Sequence, residues 1–480
     1  MNRRSFVRKS ALGVAAFSAS ARSWSQVKCA NEDVRLAVIG FGGRGKDHLS
    51  GLSKVPGVRI TGLCDVDENT LRAEAEKRPG VETHTDFRRL LESKNIDAVS
   101  IATPNHWHSL AAIWAIQAGK DVYLEKPVSH NVWEGRKVVE AARKYQKIVQ
   151  TGTQSRSSFA IRQAVEWVQK GNLGKILVAR GLCYKPRRSI GKVSGPQPIP
   201  AGVDYDLWCG PALKLPLMRA RLHYDWHWDF NTGNGDLGNQ GIHQMDISRW
   251  FLGEQELAPQ VISIGGRLGY VDDGNTPNTQ VVWHGYAKAP LIFEVRGLPE
   301  GKQFQTDKDW NGNMDKYRNG SVAVIIQCEG GHVLVPNYSS ATAFDTEGKQ
   351  IQKWDGAEDH YANFLKAVRS RNHQDLNADI LEGHLSSALC HTGNISYRIG
   401  KRTAPEEIQE HIRSDKDLPE AYQRMTEHLA ANGVFVAKDQ LTQGVMLQMD
   451  PKTERFRDPR AANELLTRPY RKSFVVPAKV

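Results

Sequence analysis

Short apolar runs alternate with amphipathic stretches over the first third of the chain. Val34-Arg35-Leu36-Ala37-Val38-Ile39 stops at Gly40, and VRITGLCDVD repeats that form from Val58. IDAVSIAT from Ile96 precedes Pro104, and DVYLEKP from Asp121 precedes Val128. Runs this short and this apolar predict strands buried on both faces, while residues 109–118 and 132–144 carry helical spacing. The alternation predicts a parallel, right-handed, doubly wound sheet.

The pattern then changes. Residues 183–220 are rich in Pro, Gly and basic side chains (YKPRRSIGKVSGPQPIPAG) and predict a long loop, a feature that is usually functional in a compact domain. VISIGGRLGYV from Val261, TQVVWHGYA from Thr279, LIFEVRGL from Leu291 and SVAVIIQCEGGHVLVP from Ser321 predict strands of a mostly antiparallel sheet. Helical runs over 359–371 and 381–399 follow, and the tail beyond Lys401 is polar, partly helical and irregular at its end. No internal repeat is present. The fold class is therefore α/β, with a Rossmann domain over 33–155, a substrate-binding α/β domain over 156–400 and an extension over 401–480.

The first residues change the picture of where such a protein works. MNRRSFVRKS places Arg3 and Arg4 ahead of Phe6, and the weakly apolar ALGVAAFSASA follows. That stretch is far shorter than the roughly 20 apolar residues a membrane span needs. It reads as a twin-arginine signal over residues 1–21, removed at Ala19-Ser20-Ala21, with a periplasmic or secreted product. Lys28 ahead of Cys29 breaks a lipoprotein signal, and no later segment is expected to insert in a membrane. Formal charge is +11; four of those charges, with no acidic residue, lie in the leader, which leaves +7 on the remainder. Lys and Arg are interspersed with Asp and Glu, so nucleic-acid binding is not expected. The six cysteines form no C-x-x-C pair, and His223 and His227 have no second ligand pair, so no metal is expected.

Gly40-Phe41-Gly42-Gly43-Arg44-Gly45 fits G-x-G-x-x-G directly after a predicted strand and at the start of a helix. The first glycine permits the turn, the second admits a pyrophosphate, and the third lets helix and strand pack, with the helix N-terminus favouring the phosphate charge. Asp65 ends the next strand, where a carboxylate accepts from ribose hydroxyls and repels a 2′-phosphate. NAD is the expected cofactor. Arg44 near a phosphate keeps NADP as the alternative.

ATPNHWH from Ala102, YLEKP from Tyr123 and GNGDLGNQGIHQMDISRW from Gly233 together resemble the glucose-fructose oxidoreductase and inositol dehydrogenase (Gfo/Idh/MocA) family. The resemblance covers roughly residues 33 to 400. It implies an open, mainly antiparallel sheet in the second domain, homo-oligomers formed through that sheet, and hydride transfer between a sugar or cyclitol carbon and nicotinamide. Lys126 would contact the reacting hydroxyl and the nicotinamide ribose, and His243 would be the acid/base with Asp246 supporting it. Thr103, Pro104, Asn105, His108 and Glu125 would border the cofactor. Family members often carry Asp where this chain has Asn239, and Asp236 supplies an additional acid nearby. An amide cannot carry a proton as a carboxylate does, so a relay falls to His243, Lys126 or Asp236.

Elementary chemistry asks for the same set. Oxidising a secondary alcohol needs a base that titrates near neutrality and a charge to hold the alkoxide, which imidazole and a buried ammonium supply. For the substrate, Tyr205, Trp208, Trp226 and Trp228 lie in segments that mix flat aromatics with polar groups, as carbohydrate sites do, and Asp246 is a further candidate contact. An aromatic core with satisfied polar tips accounts for the same segments. His384 and His391 suit either core packing or a pocket wall. The leading expectation is an exported NAD-dependent oxidoreductase acting on a sugar, glycoside or cyclitol hydroxyl. The alternatives are a glycoside hydrolase that retains NAD and a non-catalytic sugar-binding protein.

Overall fold

The computed structural model describes residues 33–480. The expected twin-arginine signal over residues 1–21, with its expected cleavage site, and Cys29 lie outside the described residues. Strands β1 (Val34–Ile39), β2 (Val58–Cys64), β3 (Glu82–His84), β4 (Ala98–Ile101), β5 (Asp121–Leu124) and β6 (Val149–Thr151) form one sheet in the order β3-β2-β1-β4-β5-β6. Every pairing in it is parallel. The order reverses between β1 and β4, which opens a crevice at the carboxyl ends of the strands. Polar caps fix where the flanking helices begin: Asp67 accepts from the amides of Asn69 and Thr70, and Asn131 accepts from that of Glu134.

The second sheet contains β7 (Ile176–Tyr184), β8 (Gln260–Gly266), β9 (Thr279–Gly285), β10 (Leu291–Arg296), β11 (Val322–Cys328), β12 (Gly331–Val335), β13 (Ser340–Phe344), β14 (Gln350–Asp355), β15 (Lys401–Thr403), β16 (Leu441–Gln443) and β17 (Leu447–Asp450). It runs β14-β13-β12-β11-β7-β10-β9-β8-β16-β15, with β17 also on β8. Only the β10–β7 pair is parallel. Helices Phe159–Gln169, Ile242–Leu252 and Ile380–Arg398 bury one face of this sheet. Each fully buried Leu, Ile or Phe there contributes about 1.5–3 kcal/mol.

Three features differ from the sequence reading. The extension is not only helical and irregular, because β15, β16 and β17 complete the sheet. Helices Pro405–Ile412 and Leu418–Ala431 cover its second face with Ile408, Ile412, Leu418, Tyr422, Met425 and Leu429, packed on Val178, Ile262, Ile264, Val281 and Ile292. The second face is therefore covered over β7 to β10, while the sheet stays open, its order ending at β15 and at the exposed edge strand β14. Finally, helix His360–Ser370 crosses back from the second domain: Phe364, Leu365, Ala367 and Val368 pack with Leu36, Val38 and Phe41 of the first. The irregular end is well packed too. Phe474, Val476 and Val480 join the core of the nucleotide domain, and Arg471 donates to the carbonyls of Asp206 and Gly210.

Among the described residues, Cys64, Cys183, Cys209, Cys328 and Cys390 are free and buried. No helix among them is long and apolar enough to cross a membrane, and no group of three or more His, Cys, Asp or Glu is arranged to hold a metal.

Candidate active site

A cavity of about 630 Å³ lies where the carboxyl ends of β1, β2, β4 and β5 meet the second domain. The glycine turn forms its floor. Gly40 has φ of +79°, and a Cβ there would sit 2.9 Å from the Thr103 amide nitrogen. Gly42 and Gly43 have open space where a Cβ would project, whereas a Cβ on Gly45 would collide with the Gly40 carbonyl oxygen. Turn, open approach and tight helix packing thus fall on the three glycines that a pyrophosphate site requires. Asp65 Oδ2 accepts from the Phe41 amide (2.9 Å) and Oδ1 from the Asp67 amide (3.1 Å), which ties the end of β2 to the turn. Burial raises the Asp65 carboxyl pKa, and those two amides oppose the shift. The residues fit a dinucleotide. Arg44 spans the cavity rim, donating to exposed Asp47 (2.9 Å) and to buried Glu125 (3.1 Å).

Glu125, at the end of β5, is buried among donors. It meets His48 Nε2 at 2.9 Å and accepts from Arg44 Nε and from the Lys126 amide (3.0 Å). His48 in turn meets Ser100 Oγ at 2.7 Å. Burial opposes its charge, yet His48, Lys126 and Arg44 hold its carboxyl well below the usual range. Next along the chain, Lys126 Nζ donates to the Asn239 carbonyl oxygen at 3.0 Å. Burial lowers its pKa against the pull of Glu125, with Arg44 and Lys185 lowering it further.

The opposite wall starts with a π-helical turn, Leu237–Gly241, that runs directly into helix Ile242–Leu252. Such wide turns often mark functional sites because they re-aim side chains. Here the turn presents the Asn239 carbonyl to Lys126 and the Gln240 amide to two partners, Lys185 Nζ (3.3 Å) and Tyr338 OH (3.0 Å). His243 follows on the helix, only 5% exposed, with the Tyr338 ring 4.9 Å away. Its Nδ1 is buried without a hydrogen bond among the described residues. Burial, reinforced by Lys126, pushes its pKa to about 3, so the ring is neutral.

Most of the sequence-predicted residues converge. Gly40, Gly42, Gly43, Arg44, Asp65, Thr103, Pro104, Asn105, His108, Glu125, Lys126, Trp208, Trp226, Asn239 and His243 all line the cavity. Asn105 Nδ2 donates to Asn234 Oδ1 (3.0 Å), and the His108 ring nitrogens meet the carbonyls of Pro127 (2.6 Å) and Thr103 (2.7 Å).

Four do not converge. Asp246 does not reach His243: Arg156 grips its carboxylate through Nε (3.0 Å) and Nη2 (2.8 Å), and Ser386 Oγ donates at 2.7 Å. Asp236 is unavailable as a proton relay, since Arg187 binds it through Nε (2.8 Å) and Nη2 (2.6 Å). That same guanidinium lies over the ring of Trp228, which does not line the cavity. Tyr205 stacks on Trp208 and donates its hydroxyl to the Leu215 carbonyl. His384 and His391 are core residues, meeting Glu454 and Ser129. Sequence reasoning missed Gln154, Lys185, Gln240 and Tyr338, which also line the cavity, while His227 lies in the aromatic segment read as a candidate sugar contact and lines the cavity too. His227 stacks on Trp226 at 3.6 Å between ring centroids. The sole local signal among the missed residues was Lys185 at the head of the basic loop.

Comparison with known proteins agrees with this architecture. A family model described as an oxidoreductase family with an NAD-binding Rossmann fold matches residues 34–153. Another, the C-terminal alpha/beta domain of that oxidoreductase family, matches residues 161–282. A myo-inositol 2-dehydrogenase of Thermotoga maritima is 26% identical over 46% of this chain and 56% of its own length. A glycosyl hydrolase family 109 protein of Saccharopolyspora erythraea is 30% identical over 64% of this chain and 58% of its own. The chain thus spans little more than half the length of these two relatives. Among solved structures, a levoglucosan dehydrogenase in complex with NADH and levoglucosan shares the fold, with a TM-score of 0.56 and 16% identity over 75% of this chain and 95% of that one. Glycine turn, crevice and family match together define an NAD-binding oxidoreductase. The chain belongs to the Gfo/Idh/MocA oxidoreductase family.

Proposed function

We propose that this protein oxidises or reduces a secondary hydroxyl of a sugar, glycoside or cyclitol with NAD, after export by the twin-arginine route. One observation carries the reading: Lys126 bonds to the π-helical turn that leads into the helix bearing His243, and both side chains line the cavity floored by the glycine turn. Bound NAD supplies the hydride acceptor. Neutral His243 takes the hydroxyl proton, and the Lys126 ammonium holds the charge that develops on the oxygen as the carbonyl forms. His243 begins neutral, but the burial and Lys126 charge that lower its pKa make it a weak base, so it must pass the proton onward as the carbonyl forms rather than keep it. Inositol and levoglucosan, named for two of the similar proteins, are the substrate class that this pair of groups serves.

The direct test is to denature the purified protein, identify any released nucleotide, and follow nicotinamide absorbance with a panel of sugars and inositols. Substrate-dependent change with at least one of them is expected. Neither nucleotide nor turnover would overturn the reading. The similarity to a glycosyl hydrolase favours a second reading, redox-neutral glycoside cleavage using the same proton-handling pair. Release of nitrophenol from a nitrophenyl glycoside without added NAD would select it.

Two further outcomes follow from the same reading. Asp65→Ala removes the ribose acceptor and the charge that repels a 2′-phosphate, so it should weaken NAD and narrow the gap to NADP. Fluorescence titration with both nucleotides measures this; unchanged affinity for both removes Asp65 from the site. Replacing Arg3 and Arg4 by Lys should strand the precursor in the cytoplasm, and normal recovery of the double variant outside it counts against export by this route.

A further inference from the structure

Lys185 stands just beyond β7 and lines the same cavity as Lys126 and His243. Its Nζ donates to Gln240 Oε1 at 3.3 Å, a neutral partner. Lys126 also has a neutral partner, the carbonyl of the adjacent residue Asn239. Two ammonium groups therefore converge on one turn, and neither forms an ion pair among the described residues. The acids that could neutralise them are already engaged. Glu125 is bound by His48 and Arg44, Asp236 by Arg187, and Asp246 by Arg156. Like charges sharing a half-buried cavity repel strongly compared with the same charges in water. An anion bound between them relieves that repulsion.

We propose that Lys185 is a specificity-determining residue that receives the carboxylate of an acidic sugar, so that the substrate is a uronate-type sugar acid rather than a neutral one. This rests on the reading that Lys126 and His243 hold the reacting hydroxyl, because it assigns the adjoining end of the cavity to the acid group. A carboxylate suits the donors better than a phosphate does. A lone ammonium, held in place by the Gln240 side-chain oxygen, matches a singly charged group, whereas phosphate is typically gripped by Arg forks or by a nest of backbone amides. The guanidinium that lines the cavity, Arg44, is committed to Glu125 and Asp47. Gln240 sets the orientation of the arrangement, since it ties Lys185 to Tyr338 and hence to the ring packed on His243.

The test compares matched pairs on the holoenzyme: D-glucose with D-glucuronate and D-galactose with D-galacturonate, plus D-glucose 6-phosphate. Affinity is read by tryptophan fluorescence, independently of turnover. The acid member of at least one pair should bind about tenfold tighter or more, as a charge-assisted hydrogen bond implies. Lys185→Met should bring the acid-to-neutral ratio close to one, Lys185→Glu should reverse it, and Lys185→Arg should retain most of it. Equal binding of acid and neutral members, no saturable binding of either acid, tighter binding of the phosphosugar, or a ratio that survives Lys185→Met would each overturn the proposal. Preferential binding of an acid without its oxidation, with NAD bound, would instead count against the catalytic reading and leave the role of Lys185 standing.

Discussion

Lys126→Ala and His243→Ala are each expected to lower turnover by about 10²-fold or more, the usual cost of losing a positioned acid/base or an electrostatic stabiliser. Both variants should still carry nucleotide. The glycine turn, the open approach at Gly42 and Gly43, and Asp65 make no hydrogen bond to either side chain among the described residues and stay intact. The two losses should not add fully, because both residues handle the same oxygen and the same proton. Steady-state rates with a panel substrate and nucleotide content after denaturation give the readout. Near-normal turnover in both variants, with folding and nucleotide intact, would mean the chemistry is done elsewhere.

The pH profile follows from the same electrostatics. A histidine with an ordinary pKa near 6.5 would make oxidation fall off as pH drops below neutrality. Burial beside Lys126 pushes His243 to about 3, so its neutral, accepting form persists and no acid limb near 6.5 is expected. Lys126 is shifted the other way relative to working pH: its pKa lies below the ordinary 10.5, so its positive charge is lost earlier on the alkaline side. Activity should therefore be flat through mild acid and decline in base sooner than a free lysine would dictate. Lys185 is one cause of the Lys126 shift, and Lys185→Met should move that alkaline decline upward. An acid limb near 6.5 that disappears in His243→Ala would reject this account.

Local patterns made the nucleotide domain legible from sequence. Its strands are short apolar runs, its glycines sit at a fixed spacing after β1, and Asp65 ends the next strand, so each signal lies within about one structural unit. The second domain was legible only where strands carry strongly apolar side chains. Edge strand β14 is almost wholly exposed and β13 alternates buried and half-buried residues, mostly small, and neither gave a hydrophobic signal. Helix His360–Ser370 read correctly as a helix, but nothing in its spacing tells that it packs on the first domain. The site follows the same rule. Lys185, Gln240 and Tyr338 are brought together by sheet topology over long stretches of chain. Asp236 looked like a proton carrier and Asp246 like a support for His243 because their guanidinium partners lie 49 and 90 residues away and cannot be seen from the motif.

Asp246→Ala should destabilise the fold by about 3–5 kcal/mol, the cost of leaving a buried charge without its partner. Asp246 is 1% exposed, and the two arginines around it, Arg156 and Arg249, are 7% and 0% exposed. Without the carboxylate, both guanidinium groups must share Glu382, and Ser386 Oγ loses its acceptor. Since Glu382 remains and is partly solvated, the loss should fall toward the lower end of that range. Asp246→Asn keeps an acceptor oxygen and the shape, so it should cost less than alanine while still exceeding a typical surface substitution. A carboxylate that served His243 instead would behave differently: its removal would alter the pH profile of turnover and leave the denaturation midpoint nearly unchanged. Urea denaturation, paired with rates measured well below the midpoint, separates the two. An unchanged midpoint with an altered pH profile would return Asp246 to the catalytic machinery; a large drop in midpoint with the profile preserved identifies it as the anchor that fixes helix Ile242–Leu252, and with it His243, against the rest of the second domain.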